Sequence, residues 1–232
     1  MEVTILIPCF NEERYIENVI DSVNKYCSFK KQIIVIDDAS SDGTHEKLQN
    51  LKKQNKINEI FTHKNNLGKG AAIRSGIKLV KSGIIIIQDA DLEYSPKDYN
   101  KLIGPIISGK ADVVYGSRFL GGGEDAHRVL YFKHRLANSF LTFLSNLLTD
   151  INLTDMETGY KAFKYESVKD IELIENRFGF EPEITAKMAK KKLRFYEVGI
   201  SYYGRTYEEG KKIGLKDAFR ALYCIFRYNL FK

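Results

Sequence analysis

The chain has 232 residues, of which 36 are lysine or arginine and 30 are aspartate or glutamate, giving a formal net charge of +6. Hydrophobic residues make up 44% and charged residues 28%. This composition, without low-complexity segments or repeats, excludes a disordered or solenoid protein and predicts a globular one. The positive balance indicates an anionic partner, which could be nucleic acid, an acidic membrane surface or a phosphorylated small molecule.

Cysteine usage and apolar segments bear on the compartment. The three cysteines are widely spaced and lack metal-ligand spacing, which favours reduced thiols. The sequence VTILIP near the amino terminus lacks the features of a signal peptide. The longest uncharged stretch, Leu136–Thr149, has 14 residues, whereas a membrane-spanning helix needs about 20. We therefore expect a cytoplasmic protein, at most attached to the inner face of a membrane.

The amino-terminal half alternates apolar strands with helical segments. Strands are predicted at Val3–Pro8, Gln32–Ile36, Glu59–Thr62 and from Ile84, and helices from Asn11 and at about Thr44–Asn55, Ala71–Lys81 and Pro96–Ser108. This alternation predicts a Rossmann-like α/β fold, with a mostly parallel sheet flanked by helices. Neither G-x-G-x-x-G after the first strand nor G-x-x-x-x-G-K-[ST] occurs, which argues against a dinucleotide-dependent dehydrogenase and a P-loop NTPase.

The stretch Ile84–Pro96, IIIIQDADLEYSP, joins a strand to two carboxylates. Four consecutive isoleucines are typical of a strand covered on both faces of a parallel sheet. On an extended chain Asp89 and Asp91 would point the same way and could face one cation, while Ala90 points away. The plainer alternative is that the two aspartates cap a turn and the helix that begins near Ser95.

Other polar residues follow the neighbouring strands. Asp38 ends the second strand, and Lys69 lies in a loop flanked by glycines. Because ligands of open α/β sheets bind beyond the carboxyl ends of the strands, Asp38, Asp89 and Asp91 could converge on one crevice beside Lys69. Such a set suits a nucleotide-sugar diphosphate, since a carboxylate can accept hydrogen bonds from a base or ribose and the D-x-D pair can hold a divalent cation.

The carboxyl-terminal half combines further strands with two basic amphipathic segments. Strands are predicted at Asp112–Tyr115 and Phe195–Val198, and helices at about His127–Thr149, Glu181–Lys192 and Gly214–Lys232. The first of these helices carries a stripe of six large apolar residues, for which core packing is the ordinary explanation and membrane contact the alternative: Leu136, Phe140, Phe143, Leu144, Leu147 and Leu148. The last helix interleaves aromatic and basic residues, a pattern that suits an anionic bilayer surface.

Eight motifs in order carry a resemblance to a known family: PCFNEE, IDDASSDGT, NLGKGAAIRSG, DADLEYSP, GSRF, TDMETGYKAF, FEPEITAKMAKK and YYGRTYEEGKKI. Together they closely resemble family 2 glycosyltransferases with the GT-A fold, and in particular the dolichyl-phosphate and polyprenyl-phosphate mannosyl- and glucosyltransferase branch. The resemblance covers nearly the whole chain. It implies one GT-A domain over residues 1–232, with a nucleotide-sugar-binding half at 1–118 and an acceptor-binding half at 119–232 that includes membrane-surface helices.

The resemblance also implies roles for residues of the nucleotide-binding half. Pro8 and Glu12 would line the nucleotide pocket, and Asp38 would contact the base or ribose. Asp37 is adjacent to Asp38 and could be either a substrate-binding or a structural residue. Lys69 would lie near the nucleotide.

The metal and phosphate contacts follow from the same resemblance. Asp89 and Asp91 would bind Mg²⁺ or Mn²⁺, and Asp91, which ends the motif, would contact the cation most directly. Arg118 in GSRF, together with Arg128 and Arg135, would bind donor or acceptor phosphate. For Arg128 and Arg135 the structural alternative is a solvated helix charge.

Two further motifs match the acceptor side of the family. Asp155 and Thr158-Gly159 fit a D-x-x-[small]-G pattern, and Arg205 with Lys211-Lys212 fits a late basic clamp. Glu157 departs from the pattern, since a neutral residue is expected at that position. Many relatives also continue into membrane helices, whereas this sequence stops at Lys232. We therefore expect any membrane contact of this chain to be peripheral.

The expected reaction is an inverting, metal-dependent transfer of a hexose from a nucleotide sugar of the GDP-mannose or UDP-glucose type. With a polyprenyl phosphate acceptor, the anionic phosphate needs no protein base, whereas a saccharide hydroxyl normally needs a carboxylate to take its proton. Asp155 and Glu157, as candidate catalytic residues beside Asp91 and Arg118, discriminate between these two activities. A basic nucleic-acid-binding module is a remote third alternative, because no nucleic-acid fold signature accompanies the charge.

Overall fold

The structure is a computed structural model that describes residues 2–122, 131–205, 208 and 214–231. The strands of these residues are β1 Val3–Cys9, β2 Lys31–Asp37, β3 Glu59–Thr62, β4 Ile84–Ile87, β5 Val113–Ser117, β6 Lys161–Lys164 and β7 Phe195–Gly199. The helices are α1 Ile16–Tyr26, α2 Thr44–Lys53, α3 Lys69–Ile77, α4 Tyr99–Ile107, α5 Phe132–Thr149, α6 Tyr165–Val168, α7 Phe180–Lys190 and α8 Leu215–Leu230. A 3₁₀ turn, Pro96–Asp98, precedes α4.

The described strands form one seven-stranded sheet in the order β3-β2-β1-β4-β6-β5-β7. β1 pairs in parallel with β2 and β4, β2 with β3, and β5 with β7. β6 alone among them runs antiparallel, between β4 and β5. The prediction of a mostly parallel sheet flanked by helices is therefore confirmed, and the sheet takes strands from both halves of the chain.

Hydrophobic strands form the centre of the molecule because helices cover both faces of the sheet. Every residue of β1 and β4 is buried, as expected for strands of a doubly covered parallel sheet. On one face, α1 buries Ile16, Val19, Ile20 and Val23 against the sheet. On the other, the core includes residues of α3, α5, α7 and α8. Because β1, β2 and β4 are parallel neighbours in the sheet, their carboxyl ends lie at one edge, with their loops side by side.

The sequence pattern does not predict β6. Its four residues, KAFK, are short and begin and end with lysine, a residue that is ordinarily exposed. Nevertheless Lys161 is fully buried. The tertiary structure supplies carbonyl partners and an aromatic ring for its ammonium group, as described below, and these partners are not visible in the local sequence.

The core-packing interpretation of the α5 stripe is wrong for most of its members. Leu144 and Leu148 pack against the core. Four others are exposed, by between 54% and 67%: Leu136, Phe140, Phe143 and Leu147. The buried face of α5 instead contains Leu141, Thr142 and Ser145. The reason is that α7 and α8 cover only one side of α5, and the helix presents its smaller residues there.

The prediction that Leu136–Thr149 does not cross a bilayer agrees with the structure. No helix among the described residues is long and apolar enough to span a membrane.

Candidate functional site

The carboxylates after β2 organise the loops at the carboxyl edge of the sheet. Asp38 accepts hydrogen bonds from the backbone amides of Leu67 (2.9 Å) and Gly68 (2.6 Å), and its Oδ1 lies 2.6 Å from Nδ1 of His63. Gly68 has φ +103°, a conformation that favours glycine. Asp38 therefore holds the loop that leads into α3 and Lys69, so a nucleotide that contacted its carboxylate would do so beside these internal partners.

The other residues assigned to the nucleotide pocket also lie at this edge. Asp37 accepts from the backbone amide of Ser40 and contacts His45 at 2.9 Å, which are structural contacts. Pro8 is buried next to the end of β1, in register with Ile36. Glu12, 7% exposed, lies in the loop between β1 and α1.

The D-x-D segment lies on a bend rather than on an extended strand, because β4 ends at Ile87. Ala90 is buried in the core. Asp91 Oδ1 accepts from the backbone amide of Glu93, whereas Ser95, not an aspartate, caps the following helical turn. The premise of simple strand alternation is therefore wrong, although the two carboxylates remain close enough for the charge of Asp89 to raise the pKa of Asp91.

Lys69 neutralises the first carboxylate of the pair. Its Nζ lies 2.8 Å from Asp89 Oδ1 and 3.5 Å from Glu181 Oε1, a residue of α7. Burial opposes the charge on Lys69, but the negative charges of Asp89 and Glu181 outweigh it and raise its pKa. A Cβ at Gly159 would lie 2.6 Å from Asp89 Oδ2 and 2.8 Å from Lys69 Nζ, so only glycine allows this close approach.

Arg205 neutralises the second carboxylate. Its Nη2 donates to Asp91 Oδ2 at 2.5 Å, its Nη1 to Glu12 at 3.3 Å and its Nε to Glu93 at 3.2 Å. The pKa of Asp91 is raised to about 7, mainly by burial and also by the negative charges of Glu93 and Asp89. The positive charge of Arg205 lowers this pKa but does not outweigh them. The sequence prediction did not include Glu93, although its position two residues after Asp91 on the same loop could have indicated it.

The donor set of this edge fits a hard divalent cation. Asp89 and Asp91 supply carboxylate oxygens, the ligands that Mg²⁺ and Mn²⁺ prefer. In this structure Lys69 is paired with Asp89 and Arg205 with Asp91. Within the described ranges, no group of three or more histidine, cysteine, aspartate or glutamate side chains forms a complete metal cage. Magnesium sites in proteins commonly have one or two carboxylates, completed by substrate phosphate oxygens.

Arg118, which is half-buried, and Asp155, which is buried, form a bidentate ion pair. Arg118 donates from Nε to Asp155 Oδ2 at 2.7 Å and from Nη2 to Oδ1 at 2.8 Å, and Asn138 of α5 donates to Oδ1 at 3.1 Å. Burial raises the pKa of Asp155, but the Arg118 charge and hydrogen bonds outweigh it and the net pKa lies below the ordinary value. Asp155 is thus a weak base that orients Arg118 and links β5 to α5.

Two glutamates near this ion pair have buried oxygens without partners. They are Glu157 Oε1 and Glu181 Oε2, and no other buried side-chain nitrogen or oxygen of the described residues lacks one. Burial, with the charge of Glu181, raises the pKa of Glu157 to about 8. Lys161 lies beside them, donating to the carbonyls of Met156 (3.1 Å) and Thr158, with its Nζ 4.3 Å from the centre of the Tyr115 ring. Sequence reasoning missed Glu181 and Lys161, because only the fold makes them neighbours.

The remaining predicted phosphate-binding residues lie partly outside the described residues. Arg128 and Lys211 belong to the segments that are not described. Arg135, an exposed residue of α5, has its guanidinium 5.4 Å from the ring centre of Phe119, and the guanidinium of Arg118 lies 5.7 Å from the same centre. Phe119 therefore brings the two arginines to one side of the site.

Residues 4–172 match the family described as Glycosyl transferase family 2. The chain belongs to this family. The resemblance that the motifs indicated is thereby confirmed, and with it the class of the activity.

Curated relatives of this glycosyltransferase include enzymes with lipid-phosphate names. This chain is 29% identical over 228 residues to the dolichol-phosphate mannosyltransferase of Pyrococcus furiosus, with 98% of this chain and 63% of that enzyme covered. It is 27% identical over 245 residues to the UDP-N-acetylglucosamine–dolichyl-phosphate N-acetylglucosaminyltransferase of Methanococcus voltae, with coverage of 98% and 96%. An uncharacterised protein of Methanocaldococcus jannaschii is 31% identical over 235 residues, with coverage of 99% and 93%.

Solved structures share its fold. Glucosyl-3-phosphoglycerate synthase of Mycobacterium tuberculosis, in complex with Mn²⁺ and UDP-glucose, superposes with a TM-score of 0.74 at 16% identity over 99% of this chain and 79% of that one. Its complex with Mg²⁺ and UDP gives a TM-score of 0.70 at 17% identity over 99% and 80%. At this identity the comparison establishes the GT-A fold alone.

Proposed function

We propose that this family 2 glycosyltransferase moves a hexose from a nucleotide sugar to a polyprenyl phosphate at a membrane surface. The observation that carries the choice of acceptor is the pair of exposed apolar helix faces, on α5 and α8. The names of two curated relatives, which mention dolichol or dolichyl phosphate, support the same acceptor class.

The two apolar faces are unusual for residues exposed to water. Five residues of α5 are between 54% and 75% exposed: Phe132, Leu136, Phe140, Phe143 and Leu147. Four residues of α8 are between 40% and 72% exposed: Phe219, Tyr223, Phe226 and Leu230. The helices contact each other, and Lys133, Arg135, Lys216 and Arg227 lie exposed on them. Exposed apolar residues beside basic ones suit a helix that lies on an anionic bilayer.

The reaction would be a displacement at the anomeric carbon. An oxygen of the lipid phosphate attacks that carbon from the face opposite the nucleoside diphosphate, a new C–O bond forms, and the diphosphate leaves with the electron pair of the bond that breaks. The configuration is inverted. Because the attacking phosphate is already anionic, no protein base is required. This agrees with Asp155, whose two oxygens are engaged by Arg118.

Residues of the site would position the reactants. Asp89 and Asp91 would hold Mg²⁺ or Mn²⁺, which when bound supplies positive charge to the leaving diphosphate. Lys69 and Arg205 would exchange carboxylate partners for diphosphate oxygens, since both ammonium and guanidinium groups bind phosphate well. Arg118 and Arg135 would bind the acceptor phosphate from the side of α5.

A second candidate is transfer to a saccharide hydroxyl, favoured by one observation. Glu157 has an unpartnered oxygen and a pKa of about 8, properties that a general base requires near neutral pH. In that case Glu157 would take the proton of the attacking hydroxyl.

Transfer assays separate the two candidates. Purified protein with Mn²⁺ or Mg²⁺ would be given labelled GDP-mannose, UDP-glucose or UDP-N-acetylglucosamine, together with either polyprenyl phosphate in detergent or a panel of soluble sugars. We expect label in the lipid fraction, and we expect Glu157→Gln to retain turnover with the phosphate acceptor. Label found only in soluble sugars, with turnover abolished by Glu157→Gln, would instead establish the hydroxyl acceptor.

A further inference from the structure

The two unpartnered carboxylate oxygens lie in one cluster. Glu181 is 3% exposed, yet its Oε2 has no hydrogen-bond partner within the described residues. Oε1 of Glu157 is also buried and also has no hydrogen-bond partner within the described residues. Buried polar atoms in folded proteins are almost always hydrogen-bonded, so each exception needs an explanation such as a ligand. Because both exceptions belong to neighbouring groups, one ligand that contacts both glutamates would account for both.

The contacts of these glutamates locate the cluster beside the diphosphate site. Glu181 Oε1 lies 3.5 Å from Lys69 Nζ, which in turn lies 2.8 Å from Asp89. Glu157 stands between Met156 and Thr158, whose carbonyls bind the ammonium group of Lys161. The two orphan oxygens are therefore next to the groups that would bind the leaving diphosphate, on the side formed by α7 and the loop before β6.

The charge of the cluster selects the kind of ligand. Asp89, Glu157 and Glu181 are its acids, and Lys69 and Lys161 are its bases. With Glu157 protonated, since burial and Glu181 raise its pKa, the two ammonium groups balance the two remaining carboxylates. A neutral hydrogen-bond donor therefore fits better than a further cation. A nucleotide sugar brings two sets of neutral donors next to its diphosphate, the hydroxyl groups of the ribose and those of the hexose, and only the hexose set is absent from the nucleoside diphosphate.

We infer that Glu181 and Glu157 bind the donor sugar, their unpartnered oxygens accepting hydrogen bonds from ring hydroxyls of the hexose. This inference rests on the proposed function, because it requires a nucleotide-sugar donor. It assigns Glu181 a substrate-binding role and Glu157 a donor-side role rather than that of a base. Such contacts would discriminate between sugars, because an analogue that lacks the hydroxyl leaves a buried oxygen unpaired.

The test compares two ligands in each variant. Binding of the nucleoside diphosphate and of the corresponding nucleotide sugar, taken from UDP-glucose, UDP-N-acetylglucosamine and GDP-mannose, would be measured calorimetrically on the full chain with Mn²⁺. For Glu181→Gln we expect affinity for the nucleotide sugar to fall by about tenfold, as for loss of a hydrogen bond to a charged group, and for Glu157→Gln, which replaces a neutral carboxyl group, we expect a smaller fall of about threefold. Affinity for the nucleoside diphosphate should stay within about twofold, because that ligand carries no hexose.

Glu183→Gln provides the matched control. Glu183 lies on the same helix two residues further on and is also buried, but its oxygens accept from the amides of Ile174 and Glu175 and from Lys187. Its substitution should lower the melting temperature and leave the ratio of the two affinities unchanged. Glu181→Gln should lower the melting temperature less than Glu183→Gln does, because its Oε2 has no partner among the described residues and its other oxygen can still contact Lys69.

Three outcomes would count against the inference. If wild type binds no nucleotide sugar, both the proposed function and this inference fail. If wild type binds one, but both variants weaken the nucleoside diphosphate and the nucleotide sugar equally, only the sugar contact fails. If Glu157→Gln abolishes turnover without changing nucleotide-sugar affinity, Glu157 is a base and its donor-side role is overturned.

Discussion

The crevice at the sheet edge and the outer faces of α5 and α8 both depart from ordinary burial, in opposite directions. In the crevice, charged residues such as Asp91, Glu181 and Lys161 are buried. On the two helices, phenylalanines and leucines are exposed. Folded proteins usually bury apolar side chains and expose charged ones. Both departures from ordinary burial occur in one chain, at two separate places, and we propose that the crevice binds the donor and that the two helices meet the lipid.

The two departures differ in how the protein offsets them. Buried charges in the crevice are paired, as Asp155 is with Arg118, or have an oxygen without a partner among the described residues, as Glu181 has. Burying an unpaired charge would cost several kcal/mol, and the pairs offset part of that cost. The apolar faces, by contrast, are not covered by the described residues, and a bilayer is the cover that we propose. The crevice should therefore respond to metal, nucleotide and pH, and the helices to lipid.

Removing the second carboxylate of the D-x-D pair should give the largest effect. Asp91→Ala should lower the rate of transfer by at least about 10²–10³-fold, as for loss of charge stabilisation at a reacting centre. The fold should be retained, because Arg205 keeps Glu12 and Glu93 as partners. Initial rates with saturating donor and metal would measure the change. Asp112→Ala, in a surface ion pair with Arg194, is the control; equal rates for the two variants would refute the role of Asp91.

Substitutions on α5 should affect only lipid binding. Phe140→Ser with Phe143→Ser should weaken binding to vesicles of anionic phospholipid by about 30-fold, because each phenylalanine, of which just over half is exposed, contributes roughly 1 kcal/mol when it enters an apolar phase. Co-sedimentation with vesicles would measure this. Nucleotide affinity should not change. Ile107→Ser, at an exposed position on α4, is the control and should bind vesicles as wild type does; an equal loss there would argue against a specific face.

Arg205 should compete with the metal for Asp91. Because its guanidinium occupies the carboxylates, Arg205→Ala should tighten Mn²⁺ binding to the nucleotide-free protein by about tenfold, equivalent to ~1.4 kcal/mol. The same change should weaken binding of nucleoside diphosphate, which loses a phosphate partner. Electron paramagnetic resonance of free Mn²⁺ and calorimetry would measure the two effects. Arg194→Ala should alter neither; a weaker Mn²⁺ affinity in Arg205→Ala would contradict the competition.

Glu157 should give the smallest effect, visible as a dependence of stability on pH. Its pKa is raised from 4.5 to about 8 in the folded protein. Between these values the folded state binds more protons than the unfolded state, so stability falls as pH rises. Glu157→Gln cannot titrate. Its melting temperature relative to wild type should therefore increase from pH 5 to pH 8, by about 2–4 °C if the difference is ~1 kcal/mol. Thermal unfolding of Glu166→Gln, an exposed control, should show no such trend; a constant offset for Glu157→Gln would contradict the raised pKa.

Local sequence patterns were sufficient for much of the fold. Runs such as Ile84–Ile87 predict buried strands, and the apolar spacing in Ile16–Tyr26 predicts a helix, because periodicity depends on neighbours along the chain. Asp38, Asp89 and Asp91 could be assigned to one edge because carboxyl ends of parallel strands meet there. The motif order identified the family. In contrast, the sequence does not predict β6, and it leaves the α5 stripe open between core packing and membrane contact, since burial depends on which elements cover a surface.

The sequence by itself determined which chemical groups reach the crevice, and the tertiary structure decided how they are paired. Asp91 meets Arg205 across 114 positions, and Asp155 meets Arg118 across 37. No periodicity connects such residues, because their contact depends on the packing of distant loops. The same holds for Glu181 and Glu157, which become neighbours only when α7 packs beside the loop before β6. Residue identity supplies charge and shape, whereas burial and the distances between partners set the pKa of each group and the ligand that it can accept.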